Sequence, residues 1–126
     1  MGVIGVGIDI VPAARVEQLL ARHGDRALRR LFTPGERETA RTRADAALHL
    51  AARIAAKEAA FKALSGDETA AGIGWQEIEV ERLGDGRPVL RFHGAAAARF
   101  AALGASRSHL SLTHSAGVAA AVVVIE

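Results

Sequence analysis

The sequence predicts an α+β fold in which a small antiparallel sheet packs against one long central helix and several shorter helices. The helix is predicted over residues 44–64, because this run lacks glycine and proline and consists mostly of good helix formers. At about 1.5 Å per residue it forms a rod roughly 30 Å long, enough to cross a small domain.

Two pairs of strand-like segments, each joined by a short turn signal, predict two antiparallel β-hairpins. Alternating apolar residues at 76–83 and 88–92 flank the turn signal Gly84-Asp85-Gly86. A second pair, 108–114 and 118–125, flanks Ser115-Ala116-Gly117 at the end of the sequence. A small helix over 95–103, ended by Gly104, is expected between the two hairpins.

The first third of the chain predicts one strand followed by short helices. Residues 3–10 alternate glycine with β-branched residues, which indicates a short buried strand whose only charge is Asp9. Pro12 suits the start of a helix that Gly24 ends, and residues 25–31 predict a second short helix. Thr33-Pro34-Gly35-Glu36 has the form of a capping box, so we interpret Thr33 and Glu36 as structural.

Composition favours one intracellular domain over residues 1–126. Half of the 126 residues are apolar, which supports a real but modest core. The absence of cysteine excludes disulfides and thiolate chemistry and fits a reducing cytosol. No charged-then-apolar leader opens the sequence and no apolar run approaches eighteen residues, so we expect a cytoplasmic protein without a membrane span.

Positive charge is concentrated in the first part of the sequence, although the net charge is only +2. A surface formed by these clustered arginines suits an acidic partner: nucleic acid, a phosphorylated ligand or an acidic protein. One Trp and four Phe offer few stacking platforms, which counts against single-stranded nucleic acid. The cluster comprises Arg22, Arg26, Arg29, Arg30, Arg37, Arg41 and Arg43.

The central helix carries both lysines of the chain. Lys57 and Lys62 are the only lysines among sixteen Lys and Arg residues, so the other fourteen are arginine. Lysine differs from arginine as a compact point charge and as a group that can lose a proton. Lys57 lies within the apolar stripe of the helix, where a cation is costly unless it is paired or faces a cleft. The alternative is a solvated helix with an incidental pair between Glu58 and Lys62.

Other candidate residues allow two interpretations each. Asp9 is either a helix cap or an oxygen ligand for a hard cation such as Mg²⁺. The glycines of residues 65–74 either form a simple connector or let backbone amides approach a phosphate. His114, on a strand face shared with Leu110 and Leu112, is either a satisfied structural group or a functional one.

Together these motifs resemble the holo-[acyl-carrier-protein] synthase family, the small bacterial 4'-phosphopantetheinyl transferases. The resemblance spans nearly the whole chain with the motifs in the same order. Ile54, the longer loop after the central helix and Ser115 depart from the usual pattern. The matching segments are Gly7-Ile8-Asp9-Ile10, Arg15, Phe32-Thr33-Pro34-Gly35-Glu36, Arg53 through Ala63, Gly86-Arg87-Pro88 and Ser111-Leu112-Thr113-His114.

The resemblance implies transfer of the 4'-phosphopantetheine arm of coenzyme A to a serine of apo-acyl carrier protein, with release of 3',5'-ADP. It implies that Asp9 and Glu58 hold Mg²⁺ against the diphosphate. Phosphoryl transfer depends on positioning and charge stabilisation more than on covalent help, which agrees with this donor set. The catalytic residues implied are Asp9, Glu58, Lys62 and His114. The general base is left open between Glu58, acting through a bound water, and Asp9.

The resemblance also implies the partners. The residues implied to bind coenzyme A are Arg53, Lys57, Lys62, Gly66 and His114. Those implied to dock the acidic acyl carrier protein are Arg15, Arg22, Arg26 and Arg30. Family members are trimers with active sites between subunits, so a homotrimer is expected, in which Arg41 or Arg43 reaches the 3'-phosphate of the coenzyme. Fatty acid or other lipid biosynthesis is the implied setting, without nucleic acid or membrane partners.

Two other hypotheses remain at this point. The arginine cluster alone would also suit a small binding module for nucleic acid or an acidic protein, without any chemistry. A related domain that keeps the fold and has lost turnover is the other, for which Ser115 is the only hint.

Overall fold

The computed structural model describes residues 2–65 and 72–126, and it confirms the predicted α+β class. Five helices and five strands follow one another along these residues, and a 3₁₀ turn lies at Trp75–Glu77. The elements are β1 (Gly5–Pro12), α1 (Ala13–His23), α2 (Asp25–Leu31), α3 (Pro34–Arg41), α4 (Ala46–Leu64), β2 (Ile78–Arg82), β3 (Pro88–Phe92), α5 (Gly94–Ala102), β4 (Ser108–Ser115) and β5 (Val118–Ile125).

The strands form two antiparallel sheets within the described residues. The larger sheet has the order β1-β5-β4, and β2 pairs with β3 in the smaller one. Helix α4 lies across the inner face of the larger sheet, against β1 and β5, and supplies much of the core. In the described ranges, none of the helices is both long enough and apolar enough to cross a bilayer.

Two glycines bring β1 unusually close to α4. A Cβ built on Gly5 would lie 2.0 Å from the carbonyl oxygen of Ala63, and one built on Gly7 would lie 1.7 Å from that of Ala59. No side chain fits in these gaps, so the strand and the helix touch through their backbones. This contact places the next inward-facing residue of β1, Asp9, beside α4.

Strand β1 is buried on one face only, so the prediction of a buried strand was wrong for its other face. Gly7 and Val11 point toward α4, whereas Val6, Ile8 and Ile10 are 59%, 62% and 62% exposed. Residues two apart share a face of a strand, so the three exposed side chains form one apolar row. The sequence pattern could not show that this row is exposed, because a row of β-branched residues is also typical of a core face.

The predicted capping box is present at the start of α3. The hydroxyl oxygen of Thr33 accepts from the backbone N–H of Glu36 at 3.2 Å, and Oε1 of Glu36 accepts from the N–H of Thr33 at 2.9 Å. Gly24 separates α1 from α2 with φ of +53°, as expected for a glycine at a helix end. These local signals therefore fix the path of the chain toward α4.

Candidate active site

Asp9 and Glu58 lie side by side where β1 meets α4. Asp9 faces α4 because it lies two residues from both Gly7 and Val11, and residues two apart share a face of a strand. Glu58 precedes Ala59, whose carbonyl oxygen is the closest neighbour of Gly7. Each carboxyl group shifts the pKa of the other, so the two lie close together. Two residues separated by 49 positions in the chain thus share one small site.

The two carboxyl groups have opposite pKa shifts. Burial raises the pKa of Glu58, and the hydrogen bond with Asp9 and the negative charge of Asp9 raise it further, against the opposing effect of Arg15. Burial also acts to raise the pKa of Asp9, but hydrogen bonds with Glu58 and Lys62 outweigh it and leave that pKa below its ordinary value. Of the two, Glu58 therefore keeps its proton to higher pH, and ionising both groups at once is unfavourable.

Cationic side chains hold the pair from both sides. Nζ of Lys62 lies 3.2 Å from Oδ1 of Asp9 and donates to the carbonyl oxygen of Ile8 at 2.9 Å. Nη2 of Arg15 donates to Oε1 of Glu58 at 3.0 Å. Lys62 and Arg15 are each about half exposed (54% and 52% of the side chain), so both cations reach the site from the solvent side.

One carboxylate oxygen at this site has no partner. Oδ2 of Asp9 is buried and makes no hydrogen bond, one of two such side-chain atoms among the described residues. An unpaired buried acceptor is costly, and so is a like-charged pair of carboxylates. A divalent cation would relieve both costs. Mg²⁺ commonly takes one or two carboxylates and fills its remaining positions with water and phosphate oxygens. The residues present therefore fit Mg²⁺, although no group of three or more potential ligands occurs in the described ranges.

A cavity of about 380 Å³, here called the helix cavity, opens next to the carboxylates. It combines an apolar wall with the charged groups of α4, which suits a ligand that has both an apolar part and an anionic part. Its lining residues are Lys57, Glu58, Phe61, Lys62, Ile73, Gly74, Trp75 and Ile78.

Lys57 has a different environment from the one that the resemblance implies. Its side chain is 1% exposed, and Nζ lies 2.8 Å from Oε1 of Glu36. Nζ also donates to the carbonyl oxygens of Trp75 at 2.9 Å and Ile78 at 2.6 Å. Three acceptors occupy the three N–H groups of an ammonium. All three hydrogens thus point at protein acceptors in this structure, which indicates an anchoring role, and phosphate binding by Lys57 stays a prediction.

Arg53 and His114 lie in a second cavity of about 440 Å³, here called the arginine cavity. Among the residues that the structure describes, none lines both this cavity and the helix cavity. Burial lowers the pKa of Arg53 to about 10, and repulsion by Arg82 adds to this effect. The residues that line this cavity are Arg43, Asp45, Leu48, His49, Ala52, Arg53, Arg82, Gly86, Arg87, Pro88, Leu110, Ser111, Leu112, Thr113 and His114.

The arginines expected to dock a partner divide into two groups. Arg22, Arg26 and Arg30 are exposed on α1 and α2, and Arg26 and Arg30 also line a shallow cavity of about 290 Å³ with Trp75. Arg15 instead pairs with Glu58, at the carboxylate site. Gly66, expected to bind coenzyme A, lies outside the described residues.

Sequence reasoning missed several groups at these sites. The capping box accounts for only part of what Glu36 does, since it also accepts from Lys57 and from the backbone N–H of Val80. The position of Lys57 inside an apolar stripe was a usable signal that an acid lay nearby. His49 and Arg82 line the arginine cavity without belonging to any motif, and no local pattern could have found them.

Comparison with known proteins identifies the family. Residues 5–123 match the 4'-phosphopantetheinyl transferase superfamily. The holo-[acyl-carrier-protein] synthase of Koribacter versatilis is 44% identical over 124 residues, which cover 98% of each chain.

Solved structures agree with this match. The crystal structure of holo-[acyl-carrier-protein] synthase from Neisseria meningitidis superimposes with a TM-score of 0.87 at 28% identity, over 99% of each chain. A synthase–coenzyme A complex from Chronobacterium ammoniagenes gives a TM-score of 0.82 at 30% identity, over 99% of this chain and 97% of that one. The chain therefore belongs to the holo-[acyl-carrier-protein] synthase family of 4'-phosphopantetheinyl transferases.

Proposed function

We propose that this chain transfers the 4'-phosphopantetheine arm of coenzyme A to a serine hydroxyl of apo-acyl carrier protein and releases 3',5'-ADP. The meeting of Asp9 and Glu58 beside Lys62 supports this reaction most directly. A bond forms between the serine oxygen and the β-phosphorus of the diphosphate. The bond from this phosphorus to the bridging oxygen breaks, and the serine proton is released.

Asp9 and Glu58 would hold Mg²⁺, which supplies neutralisation of the diphosphate charge when it is bound. The unpaired Oδ2 of Asp9 and the raised pKa of Glu58 support this assignment. Glu58 is the stronger base of the two, so it receives the serine proton through a water molecule, while Asp9 keeps its charge. Lys62 donates to the phosphate oxygen that gains charge as the bridging bond breaks.

Coenzyme A occupies both cavities, which are contributed by two subunits of a homotrimer. Its diphosphate and arm lie at the helix cavity, and Arg43, Arg53 and His114 of a neighbouring subunit contact the nucleotide and its 3'-phosphate. The separate linings of the two cavities support this division. The exposed apolar row of β1 supports an interface between subunits, since such rows are rarely left open to water.

The acidic acyl carrier protein docks on the exposed arginines of α1 and α2: Arg22, Arg26 and Arg30. Arg15 lies at the edge of this surface and also pairs with Glu58, so it links docking to the carboxylate site. We further propose that residues 1–126 act as one catalytic domain in the cytoplasm, in fatty acid biosynthesis.

A mass measurement tests the transfer. Purified protein, coenzyme A, Mg²⁺ and apo-acyl carrier protein should yield a carrier heavier by the phosphopantetheine arm. The Glu58→Gln variant should be slower by about 10²-fold or more, because the Mg²⁺ that neutralises the diphosphate then loses one of its two charged ligands. Glu17→Gln, an exposed acid on α1, is the matched control and should retain activity. A folded protein that transfers nothing at any Mg²⁺ concentration would contradict the proposal.

A further inference from the structure

The arginines that line the arginine cavity outnumber the acidic residues that line it in the described part of the chain. Arg43, Arg53, Arg82 and Arg87 line it, and Asp45 is the carboxylate among its lining residues in the described part of the chain. The pKa of Arg53 falls to about 10 because of burial and then because of repulsion by Arg82. Such a cavity favours an anionic ligand that carries more than one charge.

His49 belongs to the wall of this cavity and has an unmatched polar atom. The residue is 7% exposed, and its Nε2 is buried without a hydrogen-bond partner. Nearly all buried polar atoms in folded proteins are paired, so an orphaned ring nitrogen in a cavity wall indicates that a ligand supplies the partner. This observation is independent of the arginines.

His49 has a lowered pKa in the free protein, first because it is buried and then because of the charges around it. Burial lowers the pKa of His49 to about 4, and repulsion by Arg53, Arg43 and Arg82 contributes to the shift. Asp45, at the start of the same helix, opposes it weakly. Arg87, from the turn after β2, and His114, from β4, complete the titratable groups that line the cavity.

We propose that His49 binds the 3'-phosphate of coenzyme A through Nε2 and takes up a proton when that phosphate enters the arginine cavity. A phosphate between the ring and the arginines cancels their repulsion and provides an acceptor for the charged imidazole. The inference rests on the proposed function, because it deepens the recognition of coenzyme A at that site. It adds a binding residue that no motif of the chain contains, and it predicts tighter binding at lower pH.

Calorimetric titration of the full-length protein with 3',5'-ADP and with coenzyme A tests the inference. Titrations at about pH 7.5 and about pH 5.5, in buffers that differ in ionisation enthalpy, count the protons taken up on binding. His49→Gln keeps a hydrogen-bonding group but cannot be protonated. Subtracting its proton uptake from that of the unaltered protein removes the protons that the ligand itself gains or loses, and leaves those taken up by His49. His49→Phe removes the polar atoms, and His23→Gln, at the end of α1, is the matched control.

The unaltered protein and His23→Gln should take up more protons on binding than His49→Gln does. If the bound phosphate restores the ordinary pKa of 6.5, the unaltered protein should gain about tenfold in affinity over His49→Gln on lowering the pH between those two values. Dephospho-coenzyme A, which lacks the 3'-phosphate, should abolish this difference.

Equal proton uptake by the unaltered protein and His49→Gln would overturn the inference while leaving the transferase proposal intact. The inference would also be overturned if dephospho-coenzyme A gave the same pH-dependent difference in affinity between the unaltered protein and His49→Gln as coenzyme A does. Absence of any coenzyme A binding by the folded, unaltered protein would instead contradict the proposed function. Thermal unfolding of each variant identifies a loss of fold. If His49→Phe unfolds, the comparison with His49→Gln decides the question.

Discussion

The ammonium of Lys57 lies 2.8 Å from Oε1 of Glu36, and both side chains are 1% exposed. This ion pair joins α4 to α3, and two further bonds from Lys57 join α4 to the carbonyl oxygens of Trp75 and Ile78. Glu36 also accepts from the backbone N–H of Val80, in β2. One buried pair therefore ties α3 and β2 to α4, next to the part of the helix cavity that Lys57, Trp75 and Ile78 line.

Replacement of Lys57 with Met should strongly destabilise the fold. It leaves Glu36 buried without its counter-charge, and breaking a buried pair in this way costs about 3–5 kcal/mol. Lys62→Met is the matched control, because the half-exposed pair of Lys62 with Asp9 should contribute about 1 kcal/mol or less. Urea unfolding measures both losses.

A double-mutant cycle tests whether Lys57 and Glu36 act as a unit. The loss in Glu36→Gln/Lys57→Met should fall below the sum of the two single losses by about 2 kcal/mol. Additive losses would show that Lys57 is stabilised mainly by its two carbonyl contacts.

Glu58→Gln should raise the thermal stability of the metal-free protein at neutral pH. The folded pKa of Glu58 lies above its ordinary 4.5, so the folded state loses stability as pH rises through that folded value. Each unit of such a shift corresponds to about 1.4 kcal/mol. Glutamine cannot ionise and can donate to Asp9, so the gain should be present at about pH 7.5 and absent at about pH 4. Thermal unfolding at the two pH values measures it.

Mg²⁺ should stabilise the unaltered protein more at neutral than at acidic pH. A cation competes with a proton for Glu58, so binding weakens as pH falls through the raised pKa. The Mg²⁺-dependent shift in Tm should disappear in Glu58→Gln and persist in Glu17→Gln. A shift of the same size in Glu58→Gln would mean that the metal binds elsewhere.

Gly7→Ala should disrupt both fold and activity. Its Cβ would lie 1.7 Å from the carbonyl oxygen of Ala59, which requires β1 and α4 to separate, at a cost of about 3 kcal/mol or more. Gly35→Ala is the control, because the nearest atom to the new Cβ is 3.6 Å away. Alanine is a better helix former than glycine, so the free energy of unfolding should stay unchanged or rise by about 0.5 kcal/mol. Chemical denaturation of the two variants compares them directly.

The exposed arginines and Arg15 should affect different kinetic constants. Loss of Arg22, Arg26 or Arg30 should raise KM for acyl carrier protein and reduce its salt dependence, because exposed charges act mainly on association. Arg15→Ala should also lower kcat, since Arg15 pairs with Glu58 at 3.0 Å. Steady-state kinetics at two salt concentrations separate these effects. A pure KM effect from Arg15→Ala would place it with the docking residues.

The sequence predicted the elements whose signals are local. The capping box at Thr33, the helix stop at Gly24 and the run of helix formers in 44–64 each depend on neighbours within a few residues. The observed starts differ only slightly, since α4 begins at Ala46 and β2 at Ile78, after a 3₁₀ turn. The proximity of Asp9 and Glu58 could be predicted only from the family motifs, because no local pattern links a strand residue to a helix residue so far along the chain.

The remaining features depend on contacts between distant residues. The partner of Lys57 is 21 positions away in the chain, and the exposed row of β1 has the same composition as a core face. Arg53 and Lys57 lie one turn apart on α4, yet they line different cavities, because different distant segments pack around each of them. No periodicity in the sequence contains this information.

The backbone contact between β1 and α4 has a consequence for redesign. Because Gly7 meets the carbonyl oxygen of Ala59 with no space for a methyl group, the spacing between the main chains that carry Asp9 and Glu58 has no slack. Adapting this scaffold to an ion of another radius would therefore require longer or shorter acids: Glu58→Asp opens the gap by about one methylene, and Asp9→Glu closes it by the same amount.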